Sequence, residues 1–527
     1  MKYKIFISTA GRGTRMAGLD TINKSLLPIN YEAVISKIID KFPKHIEIII
    51  AVGHEKEVVK NFIKIRHSDR KIKFIYVKKY YGTGSGPGYT LYECRKYLQC
   101  PFIYSACDTI VPEKVPEPKF NWIGVTKVES TERYLIIEKK KSDNSYILFD
   151  KKRKIEVNSK KKMFNAFVGL AGIRDYKSFW KGFENNKRLI HNELQFSNGL
   201  NYILPNSKLK YFTCLDTGTN ESYIKVLNYF KDDVLRKPNA CTYIGNGKVI
   251  KFFKDKSKVN KLKNRSRYLK NFCPKNAKTK ANYFYYDYAK GSMLSEMKLN
   301  DFKYLINEMD KKFWKIEKNL NKKKFHSRCY DFYKNKTLNR INLLFDQKII
   351  NDDLKFINGY KTDKIHEILN KINWNIISEG VPSNFHGDFQ PENIILNRNK
   401  ITLIDWREDF SGSEKIGDLY YDLAKLDHAL VINGDVIRNK KYSVKITNGK
   451  VSYKFLQKKN LKGFRKYFHQ YIKDKKYDLN RVKILSSLIY LNIAPLHEYP
   501  YNEFLFYHGK LNLTKNLIKF KNEKKRT

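Results

Sequence analysis

Along the first 230 residues, apolar runs alternate with amphipathic ones. Tyr3 to Ile7 is apolar, Ala33 to Phe42 carries its apolar residues at helical spacing, Ile46 to Val52 is apolar again, and Glu57 to Ile65 is amphipathic. The series continues through Ile72 to Val77, Pro87 to Leu98 and Phe102 to Ala106. Short apolar runs read as strands and 3.6-period segments as helices. Strand, helix, strand, helix predicts an α/β domain: a mostly parallel sheet with helices on both faces. In such sheets ligands bind beyond the carboxyl ends of the strands, so the residues just after each run are the ones to inspect.

The pattern breaks at Lys231 to Asn239, a linker by composition that follows the amphipathic segment Glu221 to Phe230. The division expected is a first domain over 1–235 and a second over 240–527. Cys241 to Ile244, the turn Gly245-Asn246-Gly247 and Lys248 to Phe253 form a hairpin signal. A basic helix is expected over Lys256 to Asn271, an aromatic strand over Tyr283 to Ala289, and long helices over Asp301 to Lys318 and Lys361 to Ile377. A second hairpin, Tyr442 to Phe455, turns at Asn448-Gly449. Helices follow from Lys459, and the basic stretch Lys519 to Thr527 reads as a disordered end.

Composition adds a charge question. The 527 residues hold 104 Lys plus Arg against 53 Asp plus Glu, a formal net charge of +51, which favours polyanionic partners. The lysines are scattered, and Lys, Asn, Ile, Tyr and Phe are all frequent, as in proteins of AT-rich genomes. No helix-turn-helix, zinc-finger or RNP-type signature accompanies the charge, so no specific nucleic-acid partner is expected. The seven cysteines are odd in number and form no CxxC pair, which argues for a reducing compartment and against a zinc site. No run approaches the ~20 apolar residues of a membrane span, and a cytoplasmic location with small-molecule partners is expected.

Candidate chemistry begins after the first strand, at Ala10-Gly11-Arg12-Gly13-Thr14-Arg15-Met16. Glycines let backbone N–H groups approach an anion, and a following helix N-terminus favours negative charge. Lys24 stands in Asn23-Lys24-Ser25-Leu26-Leu27-Pro28, the glycine-rich turn Tyr81-Gly82-Thr83-Gly84 follows a later strand, and Cys107-Asp108-Thr109 ends another. The run Leu209 to Cys214 leads into Leu215-Asp216-Thr217-Gly218-Thr219, a second carboxylate at a strand end. Two acidic groups near a phosphate loop are what Mg²⁺ needs to hold a triphosphate.

These segments, GRGTRM, Lys24 before LLPI, YGTG, ACD and DTGTNESY, resemble the sugar-phosphate nucleotidyltransferase family over most of residues 1 to 230. The resemblance implies a Rossmann-like domain. It would have Ala10, Gly11, Gly13, Thr14 and Arg15 around the triphosphate, with Arg15 and Lys24 offsetting charge at the reacting phosphorus. Gly82 and Thr83 would approach the base, and Asp108 and Asp216 would hold Mg²⁺. Glu138 and Lys139 in RYLIIEKK, Gly169 in FVGLAGI and Glu193 in ELQFSNGLNYIL resemble the family's acceptor-pocket segments. A Glu-Lys pair at a strand end is also an ordinary solvated surface.

The second informative stretch is His386-Gly387-Asp388-Phe389-Gln390-Pro391-Glu392-Asn393, with a strand, a turn over Asn397 to Lys400 and a strand ending Ile404-Asp405-Trp406. One carboxylate for a nucleophilic hydroxyl and two oxygen ligands for Mg²⁺ is the layout phosphoryl transfer needs. HGDFQPENIIL with LIDWRE, preceded by VIKFF, resembles the aminoglycoside phosphotransferase and choline kinase group from about 240 to 435. That resemblance implies a protein-kinase-like α+β fold, with Asp388 as catalytic base and Asn393 and Asp405 as Mg²⁺ ligands. Lys251 would contact phosphate, Tyr286 to Tyr288 would form the hinge by adenine, His386 would brace the loop, and Asp418 and Asp422 would serve structure. The family places a Glu on the helix after the Lys strand, whereas Lys256 to Asn271 holds no carboxylate.

Together the two halves read as a bifunctional enzyme. The second would phosphorylate a small alcohol or sugar with ATP, and the first would transfer NMP from an NTP, CTP favoured by analogy, to the phosphate ester for surface polysaccharide or lipid head groups. The alternative keeps the transferase and makes the second half a nucleotide-binding or scaffolding module.

Overall fold

In the computed structural model, the structure describes residues 2–13, 22–129, 131, 134–139, 146–149, 163–185, 189–232, 234, 239–348 and 350–524. The chain forms two compact units, one of Met1–Lys256 with Thr279–Tyr285, the other of Ser257–Lys278 with Tyr286–Thr527.

The first unit is built on a nine-stranded sheet. Its centre is parallel: Lys4–Ser8 lies between Ile48–Val52 and Phe102–Ala106, and Ile72–Tyr76 adds outside Ile48–Val52. Ile48–Val52 is buried on both faces, as a central strand covered by helices must be. Helices Val34–Ile39, Lys56–Arg66 and Pro87–Glu93 connect these strands.

Beyond Phe102–Ala106 the sheet is mixed: most pairings are antiparallel, and Ser207–Tyr211 adds parallel to Asn121–Val128. Phe164–Ile173 pairs antiparallel with Phe102–Ala106, Asn121–Val128 and Ile136–Lys139, and Tyr146–Phe149 closes that edge. A register shift between Phe167 and Ala171 bends the long strand. Gly169 sits inside that bulge at φ +78°, where a Cβ would come 2.8 Å from the Ala106 Cβ; only glycine fits such a turn and approach.

The hairpin Ala240–Gly245 and Lys248–Phe253 forms where the Asn-Gly turn placed it. Its contacts place it in the first unit: Tyr243 donates to the Leu26 carbonyl at 2.6 Å, and the Ile244 N–H to that of Tyr31 at 2.7 Å. Tyr283 likewise donates to the Val58 carbonyl at 3.0 Å.

The second unit is mainly helical. The hairpin Ile394–Asn397 and Lys400–Leu403, joined by Ser292–Met293, carries the candidate loop. Leu419–Ala429, Lys459–Asp474, Leu479–Ile493 and Tyr501–Lys524 are its long helices. The last runs on through most of the basic end expected to be disordered. The helix expected over Asp301 to Lys318 is α-helical only over Leu299–Glu308, then loosens to a π-turn over Met309–Phe313. The one expected over Lys361 to Ile377 splits into Ile365–Asn370 and Trp374–Ile377, because the Asn373 side chain accepts from the Ile376 N–H and starts a new helix. Among the described residues no helix is long and apolar enough to cross a membrane.

Candidate functional site

The first unit gathers its candidate groups at the carboxyl ends of the parallel strands. Asp108 follows Phe102–Ala106 by two residues, and Lys24 opens a 3₁₀ turn, Lys24–Leu26. The Lys24 Nζ meets Asp108 Oδ2 at 2.5 Å. Asn23, which the sequence reading passed over, holds this lysine in place. It is 2 % exposed, donates to the carbonyls of Thr9 and His54 at 3.2 Å each, and accepts from the Ser25 N–H at 3.1 Å. One buried amide thus ties the first strand's end, the second strand's end and the lysine turn together.

Asp216 arrives from the short strand Leu215–Asp216, which pairs with Thr109–Ile110. Thr217 donates through both N–H and hydroxyl to the Asp108 carbonyl, at 2.7 and 3.0 Å. A Cβ on Gly218 would lie 3.0 Å from Asp216 Oδ1 and 3.1 Å from Asp108 Oδ2, so both carboxylates converge above this glycine. Burial, then the Asp108 charge, raise the Asp216 pKa, against the Gly218 N–H that lowers it. Two converging carboxylates repel each other, and a dication relieves that repulsion.

Above this point runs the glycine loop. Ala10 is buried and its carbonyl accepts from the His54 N–H at 2.9 Å. Gly13, at φ +68°, lies over the Lys24 stem, and nothing stands within 4 Å of where a Gly11 Cβ would be. The Arg12 guanidinium stacks 3.9 Å from the Tyr81 ring centre, which brings the two glycine-rich loops together. Thr14 and Arg15 lie outside the described residues.

Gly82, at φ +81°, has open space above it, and Thr83 follows in the same turn. The turn is fixed from behind by the Glu193 segment: the Gly84 N–H donates to the Asn192 carbonyl at 2.6 Å and the Leu194 N–H to that of Ser85 at 2.7 Å. Glu138 lies elsewhere, on Ile136–Lys139, accepting from the Asn165 N–H at 3.1 Å, and Lys139 beside it is exposed. Gly169 packs its backbone against Ala106, two residues before Asp108.

In the second unit Asp388 occupies a closed net. Lys425, from Leu419–Ala429, meets Asp388 Oδ1 at 2.7 Å. The Asn393 amide donates to the Asp388 carbonyl at 2.9 Å and to Oδ2 at 3.1 Å. His386 is fully buried and braces the loop: its Nε2 lies 2.9 Å from the Ile404 carbonyl, and its Nδ1 receives the Asp388 N–H at 3.2 Å. That pairing fits a neutral ring protonated on Nε2, and burial drives its pKa down to about 4.

Asp405 adopts φ +59°, a left-handed turn that Asp tolerates. It is pinned on both sides, by the Ile404 N–H to the Asn393 carbonyl and the Arg407 N–H to the His386 carbonyl, each 2.9 Å. Asp422 accepts the N–H groups of His386 and Gly387 at 2.7 Å each, and Asp418 receives the Val381 N–H at 2.8 Å and the Tyr333 hydroxyl at 2.6 Å. Tyr286 is buried with its ring 6.3 Å from that of Trp406, whereas Tyr288 is 49 % exposed. Lys251 is buried on Lys248–Phe253, in the first unit.

The helix without a carboxylate has reversed its charge partners. Lys258 and Lys261 pair with Glu408 and Asp409, at 3.5 and 2.8 Å, just after Asp405. Arg265, 1 % exposed, donates to the carbonyls of Phe385, Arg407 and Glu414 and stacks 3.8 Å from the Phe385 ring centre. Lys425 and Arg265 gave no sequence signal: one lies on a helix buried all round, the other in a run of basic residues.

No protein-family profile matches the sequence. Over 256 residues the chain is 27 % identical to Bifunctional protein GlmU of Methanococcus vannielii, a stretch that is 46 % of this chain and 59 % of that relative. The match therefore spans less than two thirds of the relative's length. A solved UDP-glucose pyrophosphorylase complexed with UDP-glucose is 19 % identical, covering 44 % of this chain and 99 % of its own, with a TM-score of 0.35. A CTP:phosphocholine cytidylyltransferase from Streptococcus pneumoniae is 13 % identical, covering 44 % and 99 %, with a TM-score of 0.33. The N-terminal half is the part that matches these nucleotidyltransferases.

Proposed function

We propose that the chain makes a nucleoside-diphosphate conjugate in two consecutive steps, phosphorylation of a small hydroxyl compound followed by nucleotidyl transfer to the new phosphate ester. The functional division is drawn at 235–240.

The observation that carries the transferase reading is the convergence of Lys24, Asp108 and Asp216 beside the Gly11–Gly13 loop. In the step itself, an oxygen of the phosphate monoester bonds to the α-phosphorus of the NTP, and the bond to the bridging oxygen breaks to release pyrophosphate. No protein nucleophile is needed, so the residues align two polyanions and offset their charge. Lys24 supplies the charge at the reacting phosphorus; family resemblance adds Arg15 to it and Thr14 to the triphosphate cradle. Asp108 and Asp216 would hold Mg²⁺, which uses few carboxylates and takes its remaining ligands from phosphate and water. Bound there, the ion would neutralise the phosphates. By family resemblance Gly82 and Thr83 would approach the base, CTP being favoured among NTPs by analogy, and Glu138, Lys139, Gly169 and Glu193 would line the acceptor side.

In the second module Asp388 takes the acceptor hydroxyl's proton as that oxygen bonds to the γ-phosphorus of ATP and ADP leaves. Asn393 and Asp405 would hold Mg²⁺ there, and Tyr288 would contact ATP. The closed net around Asp388 supports this reading. A non-catalytic second module is favoured by the reversed charge of Ser257–Ser266, and ATP binding without turnover on any acceptor would establish it.

The test of the transferase is pyrophosphate release from each of the four NTPs with a panel of phosphate esters and Mg²⁺. Release with one pair, abolished by Asp108→Ala, is the expected result; no release with any pair refutes it.

A further inference from the structure

The continuous helical segment from Lys322 to Asp346 brings two cations onto one face: Lys336 and, one turn on, Arg340. Lys336 Nζ stands 4.1 Å from the Phe332 ring centre and 5.6 Å from that of Tyr421. Arg407 covers Phe332 as well, its guanidinium carbon 5.0 Å from the centre. Tyr421 lies on the helix that supplies Lys425, and Lys425 holds Asp388. Lys336 and Arg407 therefore stand over these rings, with Arg340 one turn along the helix.

Their charge is not cancelled locally. Among the described residues neither Lys336 nor Arg340 has a hydrogen bond or an ion pair. The nearby carboxylates are engaged elsewhere, Glu408 by Lys258, Asp409 by Lys261 and Asp388 by Lys425. Burial, followed by the charges of Arg407, Lys425 and Arg340, pushes the Lys336 pKa well below the usual lysine range. An amine shifted in this way keeps its proton only where an anion offsets the cost of its burial. Half-buried cations left together are costly unless an anion joins them.

We propose that the phosphoryl acceptor of the second unit carries an oxyanion, a carboxylate or a phosphate, seated against Lys336, Arg340 and Arg407 beside Asp388. This rests on the phosphotransfer reading above and narrows its substrate class. It excludes choline and ethanolamine. A quaternary ammonium binds by the faces of aromatic rings, and Phe332 is stacked on Phe410 with Lys336 and Arg407 over the ring, like charges that would repel it.

The experiment uses the full chain with MgATP and matched hydroxyl compounds: D-glycerate, glycerol 3-phosphate, glycerol, choline and ethanolamine, reading ADP. ADP is expected with glycerate or glycerol 3-phosphate, whichever is preferred naming the oxyanion. Lys336→Gln and Arg340→Gln should raise KM for that acceptor roughly tenfold or more, with KM for ATP within about twofold of wild type. Preference for choline, ethanolamine or glycerol overturns the inference and leaves the kinase reading standing. If no compound yields ADP, the kinase reading fails and hydrogen exchange decides the inference. Protection of residues 322–346 by glycerol 3-phosphate, absent with choline and lost in Lys336→Gln, supports the anion site; no such protection overturns it.

Discussion

Arg265 is the strongest single test of how the second unit holds its loop. Its guanidinium, 1 % exposed, donates to three backbone carbonyls, Arg407 at 3.2 Å, Glu414 at 2.9 Å, and Phe385. Burial pushes its pKa down to about 10, so the group stays charged at neutral pH. Hydrogen bonds to a charged donor contribute about 1.5–3 kcal/mol each, and an orphaned buried carbonyl costs about 1–3 kcal/mol. Arg265→Met breaks all three bonds but removes the desolvation cost of the charge, so the net loss should be about 3–5 kcal/mol. Arg265→Lys keeps the charge without the planar fork and should fall between. The assay is native-state hydrogen exchange at the amides of Gly387, Asn393 and Ile404, whose donors close the loop onto Asp422, Gln390 and Asn393. Protection lowered by the stated amount in Arg265→Met, with the first unit's amides unchanged, is the expected outcome. A loss under about 1 kcal/mol would sink the claim that this arginine braces the loop.

Three other outcomes follow from the same geometry. Gly218→Ala puts a methyl 3.0 Å from Asp216 Oδ1 and 3.1 Å from Asp108 Oδ2; pyrophosphate release should fall roughly a hundredfold with the unfolding midpoint little changed, as small misplacements at a reacting centre do, and full activity would deny that the carboxylates converge there for catalysis. Asn23→Ala should cost about 1–3 kcal/mol, since the Ser25 N–H loses its acceptor and the carbonyls of Thr9 and His54 their shared donor, read in urea unfolding of the first unit. Burial raises the Asp422 pKa to about 6, against the His386 and Gly387 N–H groups that lower it. A carboxyl whose folded pKa is raised binds its proton more tightly when folded, so its contribution is full below about pH 4 and lost as pH rises through 6, up to about 3 kcal/mol at 1.36 kcal/mol per unit. Urea unfolding of wild type and Asp422→Asn between pH 4 and 7 should differ in slope over that window, and parallel curves would refute the assignment.

In the first unit Asp108 and Asp216 were legible because each stands just past an apolar run, whereas Lys24 was legible through the resemblance of its segment before LLPI. The antiparallel part was not, because the bulge between Phe167 and Ala171 interrupts the alternation that marks a half-buried strand. Gly169, expected at an acceptor pocket, also has a packing reason to be glycine. Asn23 was hidden because a buried amide that joins three segments leaves no periodic trace.

The second unit shows why a motif can be legible while its support is not. His386, Asp388, Asn393 and Asp405 are close in sequence, so local spacing alone places them in one loop and hairpin. Their supports come from far away. Lys425 sits on Leu419–Ala429, whose residues are buried all round, so no amphipathic stripe marks it out. Arg265 lies in a segment so basic that solvation was the natural reading. The absent helix carboxylate was visible, but its consequence was not: Lys258, Lys261 and Arg265 face Glu408, Asp409 and three carbonyls. The helix grips the loop with cations, and the segment after Asp405 supplies the carboxylates. The charge that a helix carboxylate would have paired is therefore found reversed across the same contact, and the same polarity recurs at Lys425 on Asp388 and at Lys336 and Arg407 on Phe332. Cations gathered around Asp388 set a positive field that would favour an anionic ligand beside that residue.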